Sequence, residues 1–238
     1  MFRLATEPLS IAESMKTASD AFTRIDFLAS LAALSLLIMI TAGMTRAEPA
    51  RTAACHNNLR QLGLALLSYA DDNAGTFPPR GLNPAWPERL RPYYKQLAIL
   101  TCPSDGPNPR SLPVNPTNAA DSAPCSYILN GWDDYFAAGG LPFTTPFPES
   151  AIAEPAQTIL FGEKVEESSH FWFDYAQSDD FSDLEMGRHH RSGNSVPSGA
   201  SNYSFADGSV RLLKWGAALY PVNLWNVVPE WRTNGVGF

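Results

Sequence analysis

Phe27 to Met44 is a run of eighteen residues without a charged side chain. As a helix it would be roughly 27 Å long, enough to cross the hydrocarbon of a bilayer. Residues 22–45 are therefore expected to form one transmembrane helix, with everything downstream carried outside the cytoplasm. Asp26 stands immediately before the run. A carboxylate held in a membrane costs on the order of 2.5 kcal/mol at full depth, so one placed here is expected to have a task.

The rest of the chain is sized for one ordinary domain. Of 238 residues, the leader and the anchor take the first 45, and 76–238 is read as an exported, loop-rich β domain. Twenty prolines and sixteen glycines argue against a helical body for it. The net charge is −7 and no basic stripe runs along the chain, so nucleic acid is not an expected partner.

Between anchor and domain, 46–75 has the period of a second helical segment. Cys55, Leu59, Leu62, Leu66 and Tyr69 share one helix face, while His56, Asn57, Arg60, Gln61 and Ser68 occupy the other. Pro49 should loosen the rod where the two halves meet, and Gly75 supplies a stop. Cys55 reads as a small hydrophobe on the packed face. Cys55 and His56 do not make a catalytic dyad, because neighbours on a helix point to different faces.

Met1 to Ala21 is polar and acidic rather than basic, unlike an ordinary secretory signal. It leads into Ala21-Phe22-Thr23-Arg24-Ile25-Asp26 and then the apolar run. This junction resembles that of the type IV pilin and type II secretion pseudopilin superfamily, which reads Gly-Phe-Thr-Leu-Ile-Glu. The resemblance implies a pilin-like α+β fold, with a long N-terminal helix, first transmembrane and then amphipathic, packed on a small antiparallel β-sheet. It implies that prepilin peptidase cuts 1–21 away between Ala21 and Phe22 and that the Phe22 amine is then methylated. Asp26 would take the place of the Glu that pairs with a neighbouring subunit's amine during assembly. Partners would be the peptidase, other pilin-like subunits through the N-terminal helix, and the inner membrane, with the C-terminal domain in the periplasm or on the cell exterior. Ala21 and Arg24 depart from the family pattern, and an uncleaved signal anchor is the plain alternative. The stretch from Cys55 to Pro79 resembles one branch of prepilin-like proteins, which reads Cys-x-Asn-Asn-Leu-(Lys/Arg)-Gln-(Leu/Ile)-Gly-Leu-Ala.

In the exported domain, Trp86–Tyr94 reads as a short helix. Strands are expected at 126–130, 158–164, 170–175, 203–206 and 210–215, with Asp207-Gly208 as a two-residue hairpin turn. Cys102 and Cys125 flank a proline-rich excursion. Their pairing would close a loop of about 24 residues and stabilise it by roughly 3 kcal/mol, leaving Cys55 free. The same branch carries a Cys-Pro-x-Asp that Cys102 matches, and a closing His…Asp-Gly motif to which His189 or His190 and Asp207-Gly208 correspond with changed spacing. That histidine pair is otherwise read as solvated.

No nucleophile elbow, zinc-protease helix or phosphate loop occurs, and no catalysis is expected. Glu163, Glu166 and Glu167 are read as surface charge. No metal or cofactor is assigned. Calcium is the one candidate, at Asp71-Asp72-Asn73 with Asp105, or at Asp179-Asp180 with Asp183 and Glu185. Two functions from different classes remain. One is a structural filament subunit of a secretion or pilus machine, with or without intact processing. The other is an anchored ligand-binding domain presenting Trp132, Tyr135, Trp172 or Phe173 to a ligand such as a saccharide.

Overall fold

In the computed structural model, residues 24–107, 109, 118–175, 180–190 and 198–233 are described, with only the backbone at 24, 40–46 and 180. The chain divides into two units, Met1–Arg46 and Ala47–Phe238. Helix α1, Arg24–Asp72, contributes to both and includes Pro49. In the first unit the described side chains are exposed and, apart from Asp26, Ser30 and Ser35, apolar: Ile25 is 77% exposed, Leu28 64% and Met39 69%. Among the described residues no helix is long and apolar enough to cross a membrane. The expected run extends through 40–44, whose side chains lie outside those described.

The second unit is built on the periodicity of the helix's other half. Cys55, Leu59, Leu62, Leu66 and Ala70 are fully buried, while Asn57, Arg60, Gln61 and Ser68 face solvent. Tyr69 is half-buried and meets Tyr93 edge-on at 6.0 Å. His56 departs from its expected polar face: it is half-buried, with Nε2 3.2 Å from the carbonyl of Val210. The helix lies very close to the sheet at Gly63. A Cβ there would come within 2.2 Å of Ser204 Oγ, so only glycine fits this contact.

Five strands form one sheet: β1 Tyr127–Asn130, β2 Ile159–Glu163, β3 Trp172–Phe173, β4 Ala200–Phe205 and β5 Val210–Lys214, in the order β3-β1-β2-β4-β5. The fold is α+β, as the strand signals and the helical period predicted. The antiparallel expectation needs one correction, because β3 runs parallel to β1, with Leu129 opposite Trp172 and Asn130 opposite Phe173. The sheet is covered on both faces. Tyr127, Leu129, Leu160 and Phe161 join the helix residues in one core. Ile128, Ile159, Phe173, Tyr203 and Phe205 form the other with Leu219 and Trp225. Tyr127, Ile128 and Leu129 alternate between these cores, as the two-residue side-chain period requires, whereas Leu160 and Phe161 fall in the same core at the register shift between Ile159 and Phe161.

The hairpin at Asp207-Gly208 exists but is longer than a two-residue turn. Phe205 N–H donates to Ser209 at 2.9 Å and Gly208 N–H to Phe205 at 3.0 Å. Gly208, at φ +78°, supplies the left-handed residue that closes such a loop. Helix α2, Trp86–Tyr94, forms as expected, with proline in its first turn. Its N-terminus is capped from a distance: Asp121 accepts from Ala85 N–H at 2.9 Å and Glu88 N–H at 3.1 Å. Two short helices complete the unit, α3 Asp133–Gly139 and α4 Pro229–Thr233.

The expected Cys102–Cys125 disulfide is replaced by Cys55–Cys102, whose Cα atoms lie 4.9 Å apart. Cys125 is the free, buried cysteine, and its thiol donates to the carbonyl of Tyr127 at 3.4 Å. The packing of α1 explains the exchange. Burying the Leu59/Leu62/Leu66 face carries Cys55 inward to meet Cys102, while Cys125 is held at the start of β1. The bridge spans 47 residues of sequence, so it stabilises by about 4 kcal/mol, somewhat more than the shorter loop would have given.

Candidate functional site

Beside that disulfide the second unit encloses a cluster of charged and polar groups. β2 ends in Glu163, and the residue after it, Lys164, starts the exit loop. Both faces of the sheet are covered, so neither side chain finds a solvent side and both are fully buried. This overturns the reading of Glu163 as surface charge. His189 is also fully buried, which corrects its assignment to a solvated pair. His190 is exposed and adopts φ +56°. The backbone of His189 is fixed by reciprocal 2.8 Å hydrogen bonds with Ala200 at the start of β4.

The imidazole of His189 has four neighbours. Nε2 lies 2.9 Å from Glu163 Oε1 and 4.0 Å from Cys102 Sγ. Nδ1 lies 3.2 Å from Thr52 Oγ1 and 3.4 Å from Glu48 Oε1, both on α1. Burial alone would pull the His189 pKa down. The Glu163 and Glu48 carboxylates outweigh it and hold the value above the ordinary imidazole range. Glu48 is the outermost member, with its side chain 41% exposed, and it also accepts from Ser104 Oγ at 3.1 Å.

Arg188 completes the cluster from the other side. Its guanidinium pairs with Asp105, donates to the carbonyl of Lys164, and places Nε 3.6 Å from Glu163 Oε2. Among the described residues, Glu163 Oε2 accepts no hydrogen bond. Lys164 turns away, donating to the carbonyls of Ser168 at 2.8 Å and His170 at 3.1 Å, and burial lowers its pKa. Near it, burial pushes the Cys125 thiol up. The assembly is a disulfide in contact with an imidazole and a carboxylate, with an arginine–aspartate pair behind them.

Several sequence-predicted residues fall elsewhere. Ala21 and Phe22 lie outside the described residues. Asp26 is exposed in the first turn of α1. Of the calcium candidates, Asp71 and Asp72 are exposed, with Asp72 accepting from Tyr93 Oη at 3.1 Å. Asp105 is committed to Arg188, and Asp183 lies 2.7 Å from His170 Nδ1. Asp179 lies outside the described residues. The aromatic candidates are mostly core: Trp132, Trp172 and Phe173 are buried, Trp132 stacks on Phe147 at 4.2 Å, and Tyr135 is half-buried.

Glu163, His189 and Arg188 were missed as a cluster. The available signals were a carboxylate at the end of an otherwise apolar strand, and a histidine ahead of the Asp-Gly hairpin. A family model described as "Protein of unknown function (DUF1559)" matches residues 46–88, from the second half of α1 into α2. Comparisons with curated proteins and with solved structures give no match.

Proposed function

We propose that this chain is a pilin-like structural subunit of a secretion or pilus-type filament. In this reading prepilin peptidase cuts between Ala21 and Phe22, residues 22–45 cross the inner membrane, and 76–238 stands in the periplasm or on the cell exterior. The observation that carries it is the exposed apolar surface of α1 between Ile25 and Met39. A helix that is apolar all round is stable only in lipid or against other apolar helices. The filament reading gives it both environments in turn. Asp26, at the head of that surface, is the natural partner for a free amine on a neighbouring subunit. The segment matched by the family model, 46–88, contains the Cys55–Pro79 stretch that carries the resemblance to prepilin-like proteins. The ligand-binding alternative has less support, because three of its four aromatic residues are core.

The test is crosslinking of wild type and Asp26→Ala in membranes. Wild type should give a ladder of oligomers. The variant should insert normally, since losing a carboxylate makes the segment more apolar, yet remain monomeric, because a buried amine without its partner costs roughly 3 kcal/mol per contact. Equal ladders would mean that Asp26 only marks the membrane boundary. Mass spectrometry of the mature chain should find Phe22 first, with a methylated amine, and an intact Met1 would remove the processed-pilin reading.

A further inference from the structure

The geometry points to a reduction-dependent binding site for a thiophilic divalent cation such as Zn²⁺, formed by Cys55, Cys102, Glu163 and His189. One donor atom from each of these residues lies within 4.8 Å of all the others, and all four are buried. They come from four places in the fold: α1, the loop after the Leu97–Leu100 turn, the end of β2, and the segment bridged to β4. A tetrahedral zinc ion has bonds of about 2.3 Å to sulfur and about 2.0 Å to nitrogen, so its ligand atoms sit roughly 3.3–3.8 Å apart. The cluster is close to that size, with Nε2 2.9 Å from Glu163 Oε1 and 4.0 Å from Cys102 Sγ, and the bonded sulfurs must move apart to reach it.

Two further observations distinguish the cluster from a disulfide that merely packs on its surroundings. Among the described residues, Glu163 Oε2 is buried, accepts no hydrogen bond and has only the Arg188 guanidinium at 3.6 Å as a partner, so it keeps its lone pairs available to a cation. His189 is already oriented as a metal-ligating histidine is. Nδ1 is engaged by Glu48 and Thr52, so Nε2 faces the sulfurs and Glu163. Arg188, 3.6 Å from Glu163, offsets the negative charge that two thiolates and a carboxylate would leave around a divalent ion.

The chemistry balances with an external dithiol as reductant. Its two thiols are oxidised to a disulfide, and the Cys55–Cys102 bond takes up two electrons and two protons to give two thiols. The cation then binds both sulfurs as thiolates and His189 through a deprotonated Nε2, and the protons given up by the two thiols and by Nε2 where it is protonated leave to solvent. Glu48, the exposed member above His189, marks the short route from solvent. All the participating residues belong to the second unit, so the site is the same in a monomer and in a filament.

The test is a titration of the full-length protein in detergent with Co²⁺, oxidised and after treatment with a phosphine reductant. Reduced protein should take up one cobalt ion per chain, with the intense visible bands of tetrahedral cobalt and a near-ultraviolet thiolate charge-transfer band. Oxidised protein should show neither. Glu48→Gln should keep the bands and weaken affinity about 10- to 100-fold. Cys125→Ala should leave the spectrum unchanged, and Cys102→Ser should abolish the charge-transfer band. Near-ultraviolet circular dichroism lost on reduction should return with cobalt. The inference is overturned if reduced protein binds no cobalt or shows only the weak bands of octahedral oxygen ligation. It is equally overturned if oxidised protein gives the same spectrum, or if cobalt fails to restore lost dichroism.

Discussion

Two regions of this chain invert the usual distribution of side chains. Between Ile25 and Met39 the first half of α1 leaves leucines, isoleucine and phenylalanine exposed. Beneath the second half, Glu163, Arg188, His189, Asp105 and Lys164 are enclosed. The two inversions have different remedies. Exposed apolar surface gains about 25 cal/mol for each Å² that lipid or another helix removes from water, so the first region asks for an external partner. Enclosed charges are tolerable only when they pair with one another, and the second region supplies its own partners. One region is incomplete without its environment and the other is internally complete.

The contrast is broken most severely at Arg188. Arg188→Met removes the cation that pairs with Asp105 and faces Glu163, leaving the buried Asp105 carboxylate without its cation and Glu163 with only His189 and Asn202. A loss of about 3–5 kcal/mol is expected in the unfolding free energy of the second unit, read from denaturant titration. A loss below about 1 kcal/mol would mean that the cluster is wet and its charges screened. Leu62→Ala should cost about 2–5 kcal/mol by opening a cavity in the core that α1 shares with the sheet.

Gly63 gives a smaller and reversible effect. Gly63→Ala drives a methyl group against Ser204 Oγ and should cost about 1–3 kcal/mol. Among the described residues Ser204 Oγ is buried without a hydrogen-bond partner, so Ser204→Ala removes the clash at little cost, and the double variant should recover most of the loss. Additive losses in the two variants would show that the helix approaches the sheet elsewhere.

Asp134 produces a slope rather than a step. Burial raises its pKa from 3.8 to about 6, against the hydrogen bonds it accepts from Val227 and Val228 N–H. Because the folded-state value lies above the unfolded one, the fold prefers the protonated form. That preference is complete below about 3.8 and is lost as pH climbs through about 6. Stability should therefore fall across this window in wild type, and Asp134→Asn should flatten the curve; parallel curves would remove Asp134 as its origin. The smallest effect belongs to the other region. Leu34→Ala, at an exposed position in the first unit, should leave unfolding of the second unit within about 0.5 kcal/mol of wild type.

Much of this architecture was readable in advance. The four- and three-residue steps of Cys55, Leu59, Leu62 and Leu66 gave the buried face of α1, and the aromatic and β-branched runs gave all five strands, with β1, β2 and β5 close to their observed limits, β3 much shorter than expected and β4 starting earlier. The parallel pairing of β3 was hidden because two paired residues carry no sign of direction. Glu163 and His189 were hidden because residue type alone predicts exposure, and their burial depends on which elements cover them. The disulfide was misassigned by judging Cys55 from its helix face and the other two cysteines from the loop between them. The face reading was right in placing Cys55 inward, and that inward placement is what brings it to Cys102.

Local periodicity and composition by themselves determined the helix with its apolar and amphipathic halves, the loop-rich sheet domain and the hairpin at Asp207-Gly208. These follow from spacings within a few residues, where backbone geometry fixes which side chains share a face. Only the tertiary structure decided that Cys55 meets Cys102, that His189 meets Glu163, and that Gly63 meets Ser204. Each joins residues distant in sequence, and each depends on how α1 and the sheet pack, a long-range arrangement that no local pattern records.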